Sequence, residues 1–232
     1  EWDSDIVDLV ARHFAEDEGE AAYFDAWIDE KCVAVDLEAV ARAEAEVIDP
    51  QQRVLLHNAL KCFGDQSQVP VQDCGFGVGI SNADYNTILQ WHRHPLRAQS
   101  ATSSAFSVAA GRLAYTFYSS AQALSVDTAC SSSLVALNAM LRTRDQTAAM
   151  TLGVNALLCF RTSQMFNVAG MLSQDGRCKT LDNAADGYTR AEACASVLAT
   201  AGLPAHIGGP ALLISATAVN QDGRSSSLTA PN

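Results

Sequence analysis

Residues 124–137 read LSVDTACSSSLVAL, and the hydrophobic rhythm changes in the middle of them. Ala123 to Val126 is a short apolar run of the kind that ends a buried strand. Asp127 and Thr128 break it, and beyond them Leu134, Leu137 and Leu141 recur at helical spacing. The stretch reads as strand, tight turn and helix, with Cys130 at the turn. A thiol at a helix start faces unpaired backbone N–H groups and the positive end of the helix dipole, and both favour the thiolate. Thiolate is the attacking form of cysteine, so Cys130 is a candidate nucleophile. The plainer alternative is a buried cysteine that only packs. Ser131, Ser132 and Ser133 weigh against it, because a helix start built for packing has no need of three consecutive hydroxyls.

The 232 residues around this turn suffice for one large domain or two small ones with a sizeable core. A chain that is 48% hydrophobic and 18% charged suits a densely packed α/β protein. It contains no apolar run long enough to predict a membrane span, and its opening EWDSD is not a signal peptide. Cys32, Cys62, Cys74, Cys130, Cys159, Cys178 and Cys194 form no C-x-x-C pair. Their odd number and apolar settings predict free thiols in a reducing, intracellular compartment (cytoplasm or organelle), not a disulfide framework or a zinc site. His92 and His94 would need a third ligand to hold a metal, and none is apparent.

Charge is unevenly placed. The first 50 residues hold 16 acidic against 3 basic side chains, and the remainder holds 10 against 12. No basic face appears, which argues against nucleic acid as a partner. The acidic opening, about 1–48, reads as a solvated helical lead-in, with a docking role as the alternative.

Asp49-Pro50 opens the next helix, since proline at the first helical position loses no needed hydrogen bond, and Val54, Leu55, Leu56, Ala59 and Leu60 give it an apolar face. DCGFGVGIS, 73–81, is a glycine-rich strand, but no phosphate-loop pattern follows it. TSSAFSVAAGRLAYTFY, 102–118, reads as one helix rich in small residues. Met150 to Leu158 is expected as a core strand. GMLSQDGRCKTLDNAADGYTR, 170–190, is irregular, with turns at Asp175-Gly176 and Asp186-Gly187. Strands are expected over Cys194–Thr200 and Leu212–Val219, with a loop between them at Ala201–Pro210 and NQDGRSSSLTAPN after them.

These stretches carry a resemblance. DTACSSSL is similar to the nucleophile signature of the β-ketoacyl synthases in the form typical of polyketide synthases. Trp2-Asp3, DPQQR, SVAAGRLAY, GMLSQDGRCKTLDNAADGY and NQDGRSSSLTAPN resemble that family's other segments, in the family's order. The resemblance runs from about Trp2 to Asn232. It implies the thiolase-like fold, a layered αβαβα architecture, of which this α/β chain covers mainly the N-terminal half. The lead-in is about 1–48 and the α/β core about 49–232.

The resemblance also implies a chemistry. Cys130 maps onto the cysteine that is acylated as a thioester before decarboxylative carbon–carbon condensation in polyketide or fatty acid synthesis. No bound cofactor is implied; substrates arrive on the phosphopantetheine of an acyl carrier protein or on coenzyme A. The implied partners are that carrier protein and a second copy, joined along the strand Ala123–Val126, or a larger complex. The family's two histidine motifs lie beyond its T-A-P-N segment, and His13, His57, His92, His94 and His206 match neither. A chain limited to these residues is expected to be acylated without completing condensation. Ser103, Tyr118, Ala121, Ala191, Ala193, Ala195 and Ser227 occupy positions where the family usually has glycine, and Gln122 replaces a proline. Filled glycines cost room or strain, and the three alternating alanines are expected to crowd the layer near the cysteine. They motivate the competing reading, a catalytically degenerate ketosynthase-fold protein with a structural or docking role in a larger assembly. A thiolase is disfavoured by DTACSSSL, and a loading domain by the presence of Cys130.

Overall fold

The computed structural model describes residues 48–64, 69, 71–91, 96–143, 146–201, 213–221 and 223–226. The acidic lead-in to residue 47, His13, His92, His94, His206, the 202–212 segment and the T-A-P-N segment lie outside them. Helix α1 spans Pro50–Gly64 and begins at the proline. Asp49 caps it, its Oδ1 accepting the Gln51 N–H at 2.8 Å. Strand β1, Cys74–Gly79, is buried throughout. Helix α2, Asp84–Trp91, follows in a stretch whose polarity hid it from the sequence reading. The single helix expected over 102–118 is two, α3 (Ser100–Ser103) and α4 (Phe106–Thr116), because Ala105 takes an extended conformation between them. Then come β2 (Ala123–Val126), a single 3₁₀ turn (Ala129–Ser131) and α5 (Ser132–Leu141). Strand β3 (Ala148–Asn155), α6 (Phe160–Val168) and β4 (Ala193–Thr200) complete the elements.

The strands form one sheet in the order β2-β1-β3-β4. The first three are parallel, with Gly79 opposite both Val126 and Gly153, and β4 runs antiparallel to β3. Helices α1 and α4 cover one face and α5 the other. On the first face Phe76 of β1 stacks on Phe117 at 5.6 Å, and Phe63 of α1 closes the cluster. Leu55, Leu60, Val78, Leu113, Met150 and Leu152 fill the rest of that core.

Two expectations are corrected here. β2 is not buried; it is the edge of the sheet and is half exposed along its length. Residues 213–219 form no strand: among the described residues the sheet ends at β4, and this run is mostly exposed and irregular. It is tied to α5 instead, where the buried Asn138 donates from Nδ2 to the Thr217 hydroxyl at 2.8 Å.

The helical spacing of Leu134, Leu137 and Leu141 holds in α5, but these leucines do not form its contact with the sheet. Leu134 is 70% exposed, whereas Ser132, Ala136 and Met140 are buried on the side that meets β1. The cause lies in β1. Gly75, Gly77 and Gly79 alternate along it and leave its α5 face without side chains. A β-carbon on Gly77 would stand 2.5 Å from Met140 Cγ, and one on Gly79 would stand 2.4 Å from the Ser133 nitrogen. The helix backbone thus sits directly on the strand, and small side chains meet it there.

Candidate active site

Cys130 sits just beyond the C-terminal end of β2, in the 3₁₀ turn and not in the first turn of α5, which begins two residues later. Its side chain is exposed. The sharpness of the turn comes from Ala129, whose φ of 55° is left-handed, a conformation that costs an L-residue with a β-carbon about 1–2 kcal/mol. Local hydrogen bonds hold it. Asp127 Oδ1 accepts the Ala129 N–H at 3.0 Å, an Asx-type turn built from the Asp-Thr-Ala sequence. The Ser131 hydroxyl lies 2.9 Å from both the carbonyl and the hydroxyl oxygen of Thr128. Ser132 Oγ accepts the Thr128 N–H at 2.8 Å and donates to the Ala129 carbonyl at 2.6 Å. These bonds engage the N–H groups of Thr128 and Ala129 and leave that of Cys130 out.

The platform under the turn is equally specific. Gly79 and Gly153, paired across β1 and β3, both face Ser133; a β-carbon on Gly153 would lie 2.7 Å from Ser133 Cβ. The loops after β1 and β3 leave the sheet at the same end as the cysteine turn and are locked together by buried amides. Gln51 Nε2 donates to the Asn82 carbonyl at 2.7 Å, and Gln51 Oε1 accepts the Ala156 N–H at 3.3 Å. Asp84, 2% exposed, accepts the Cys159 N–H at 2.9 Å and the Thr162 hydroxyl at 2.6 Å. Gln52 is bridged to α4 and the residue before it: its Oε1 accepts Arg112 Nε at 2.8 Å, and its Nε2 donates to the Ala105 carbonyl at 3.2 Å. The sequence reading missed this network. Its signal was available: Gln51 stands four residues before Leu55 and eight before Ala59, on the face of α1 that must be buried.

The 170–190 segment closes on itself; the expected turn at Asp175-Gly176 is in place, whereas Asp186-Gly187 forms none and two further turns fall earlier, at 180–181 and 183–184. Tyr188 exchanges backbone hydrogen bonds with Met171 and Ser173. Lys179 Nζ reaches Asp175 at 3.1 Å and Asp186 at 2.8 Å, and the Ser173 hydroxyl joins the same two carboxylates. Arg190 anchors the segment to α6 through the Ser163 hydroxyl, 2.7 Å away, and the face of Phe166. Glu192 accepts the Leu157 N–H at 2.8 Å, joining this segment to the loop after β3.

Other thiols differ from Cys130. Cys74 and Cys159 are buried, and burial pushes the Cys74 thiol up to about 11. Among the described residues six cysteines are free, and no cluster of three His, Cys, Asp or Glu could hold a metal ion. His57 lies on α1.

The filled glycine positions are absorbed in different ways. Ser103 is buried and donates its hydroxyl to the Ser100 carbonyl at 3.1 Å. Ala193 and Ala195 are exposed on β4, the strand farthest from β2, and Ala195 stands opposite Gly153 of β3. Tyr118 keeps the conformation of a glycine, with φ of 53°. It ends α4 as the left-handed residue of a Schellman motif, with Ser119 N–H on the Ala114 carbonyl and Tyr118 N–H on that of Tyr115. The residue is 56% exposed, so little packing offsets the backbone cost. Tyr118→Gly is expected to raise the unfolding free energy by about 0.5–1 kcal/mol, read from urea denaturation. Destabilisation would mean that the ring contributes more than its backbone costs.

A mixed sheet, three strands parallel and one antiparallel, with a thiol on the sharp turn beyond its edge strand and a helix seated on glycines behind that turn, defines a thiolase-like α/β protein. Residues 3–201 match the family model described as β-ketoacyl synthase, N-terminal domain. Over 205 residues the chain is 38% identical to a phenolphthiocerol/phthiocerol polyketide synthase of Mycobacterium tuberculosis, a match covering 84% of this chain and 9% of that protein. It is 37% identical over 202 residues to the polyketide synthase component of compactin nonaketide synthase from Penicillium citrinum, covering 83% and 7%. The ketosynthase from module 6 of the bacillaene synthase of Bacillus subtilis 168 superposes with a TM-score of 0.59 at 31% identity, covering 67% of this chain and 27% of that one. The chain belongs to the β-ketoacyl synthase family, as a ketosynthase N-terminal domain of the polyketide synthase type. It spans a small fraction of the curated relatives it matches.

Proposed function

We propose that this chain is the nucleophile-bearing portion of a polyketide-type ketosynthase, about 1–48 a lead-in and about 49–232 its α/β core, and that Cys130 is its catalytic residue. The observation that carries this reading is the turn itself: an exposed thiol on a left-handed corner at the C-terminal end of parallel strands. In the proposed step the Cys130 thiolate attacks the carbonyl carbon of an acyl thioester. A new C–S bond forms, the old C–S bond breaks, and the departing thiolate of phosphopantetheine or coenzyme A takes up a proton. The Cys130 N–H serves as one donor to the oxyanion of the tetrahedral intermediate. Condensation with a decarboxylated malonyl unit completes the reaction with groups supplied by the rest of the synthase.

An acyl carrier protein is the proposed donor. The proposed partner along the sheet is a second copy: β2 is an edge strand with unpaired backbone groups, which a symmetric strand pairing would satisfy. No helix among the described residues is long and apolar enough to cross a membrane.

The test is acylation of the full ketosynthase-containing protein by an acyl-phosphopantetheine thioester, followed by mass mapping. Wild type is expected to gain one acyl group on the peptide containing Cys130, and Cys130→Ala none. Acylation that persists in Cys130→Ala, or maps to Cys178, would reject the assignment.

A further inference from the structure

We infer that Ser132 is a positioning residue for Cys130, acting by holding Ala129 in its left-handed conformation; the inference rests on the acyl-transfer reading above. Ser132 is 5% exposed, although the turn around it is open to solvent. Its one hydroxyl closes two bonds at once, accepting from Thr128 N–H at 2.8 Å and donating to the Ala129 carbonyl at 2.6 Å. Those two backbone groups bracket the one residue of the turn whose φ, 55°, is unfavourable for a side chain with a β-carbon.

The neighbouring serines do different work. Ser131 bonds only to Thr128, and Ser133 carries the contact with Gly79 and Gly153. Of the three hydroxyls only that of Ser132 reaches the Ala129 carbonyl, which the Ser132 backbone N–H also engages. A bond to the far side of a strained residue raises the cost of its relaxing to negative φ. Relaxation would swing the next peptide, and with it the Cys130 N–H and Sγ, away from the geometry that an attacking thiol and an oxyanion donor need together. The serine run is therefore divided into a strap, a clamp and a foot, and the clamp sets the nucleophile.

The experiment compares wild type, Ser132→Ala, Ala129→Gly and the double variant in the full ketosynthase-containing protein. Three readouts are taken: acyl transfer from the phosphopantetheine thioester, alkylation of Cys130 by iodoacetamide, and the φ of residue 129 from crystal structures. Ser132→Ala is expected to slow acyl transfer about tenfold or more while changing alkylation, which needs no oxyanion donor, by less than about threefold. Glycine adopts positive φ without the β-carbon penalty, so Ala129→Gly is expected to recover most of the acyl-transfer loss in the double variant. The φ of Ala129 is expected to turn negative in Ser132→Ala. Acyl transfer at the wild-type rate in Ser132→Ala, an undiminished loss in the double variant, or a retained left-handed Ala129 would each overturn the inference. Absence of acyl transfer in wild type together with a relaxed Ala129 in the variant would reject the proposed reaction and leave the clamp standing.

Discussion

Gly79→Ala is expected to cost about 3 kcal/mol of stability, the upper end for overpacking a core, and to suppress acylation of Cys130. The added β-carbon would meet the Ser133 nitrogen at 2.4 Å, the Ser133 Cα at 2.5 Å and the Ser132 carbonyl carbon at 2.6 Å. All three are main-chain atoms or the root of a side chain, so no rotamer change can yield. Either β1 or the start of α5 must move. β1 is hydrogen-bonded on both sides, to β2 and β3, which leaves the helix start as the softer partner. That start carries the cysteine turn, so the substitution acts on geometry as well as stability. Gly111→Ala is the control. It lies inside α4, nothing stands within 4 Å of its added β-carbon, and it is expected to stabilise by about 0.5–1 kcal/mol through helix propensity. Urea denaturation of both variants, with acylation of Cys130 measured under native conditions, distinguishes the two. Equal effects at the two glycines would show that helix and strand are not in the contact described.

The second large effect is pH-dependent and centres on Asp49. Burial raises its carboxyl from 3.8 to about 6, with nearby Asp84 adding to the rise, while the Gln51 hydrogen bonds and the charge of Arg53 oppose it. An acid raised on folding destabilises the folded state once it must ionise there. Below about pH 3 the group is protonated in both states and contributes nothing. Between pH 4 and 6 the unfolded chain gives up its proton and the folded chain keeps it, so stability falls as pH rises. By pH 7 the loss attributable to Asp49 is about 3 kcal/mol. Asp49→Asn removes the titration and keeps an oxygen for the Gln51 N–H. The variant is expected to match wild type near pH 4 and to exceed it by about 1–3 kcal/mol at pH 7. A difference between the two that stays constant from pH 4 to 7 would mean that the carboxyl ionises as easily inside as outside.

DTACSSSL placed a turn and a cysteine correctly because its signals are local: residues that break a strand, an Asx turn and hydroxyls at a helix start. Asp49-Pro50 marked a helix start for the same reason, and Asp175-Gly176 marked its turn; Asp186-Gly187 did not, since residues 185–187 form none. The reading failed where identity alone does not say which neighbour a residue meets. Leu134, Leu137 and Leu141 marked a helix by their spacing, yet the helix turns its small residues to the sheet because β1 offers glycines and no side chains. The run at 212–219 has the composition of a strand, but the described part of it, 213–219, lies beyond the last strand of the sheet.

The filled glycines divide along the same line. Sequence could say that a β-carbon had been added at Tyr118, Ala193 and Ala195. Only tertiary structure shows that Tyr118 carries a left-handed backbone while the two alanines face outward on a distal strand. The sequence by itself determined the family, the turn and the nucleophile candidate, all of which are written in contiguous residues. The tertiary structure decided what supports them: glycines from two strands under Ser133, glutamines of α1 locking distant loops, and Ser132 closing over a strained alanine. Those depend on backbones brought within a few ångströms from distant parts of the chain, a distance that no local pattern encodes.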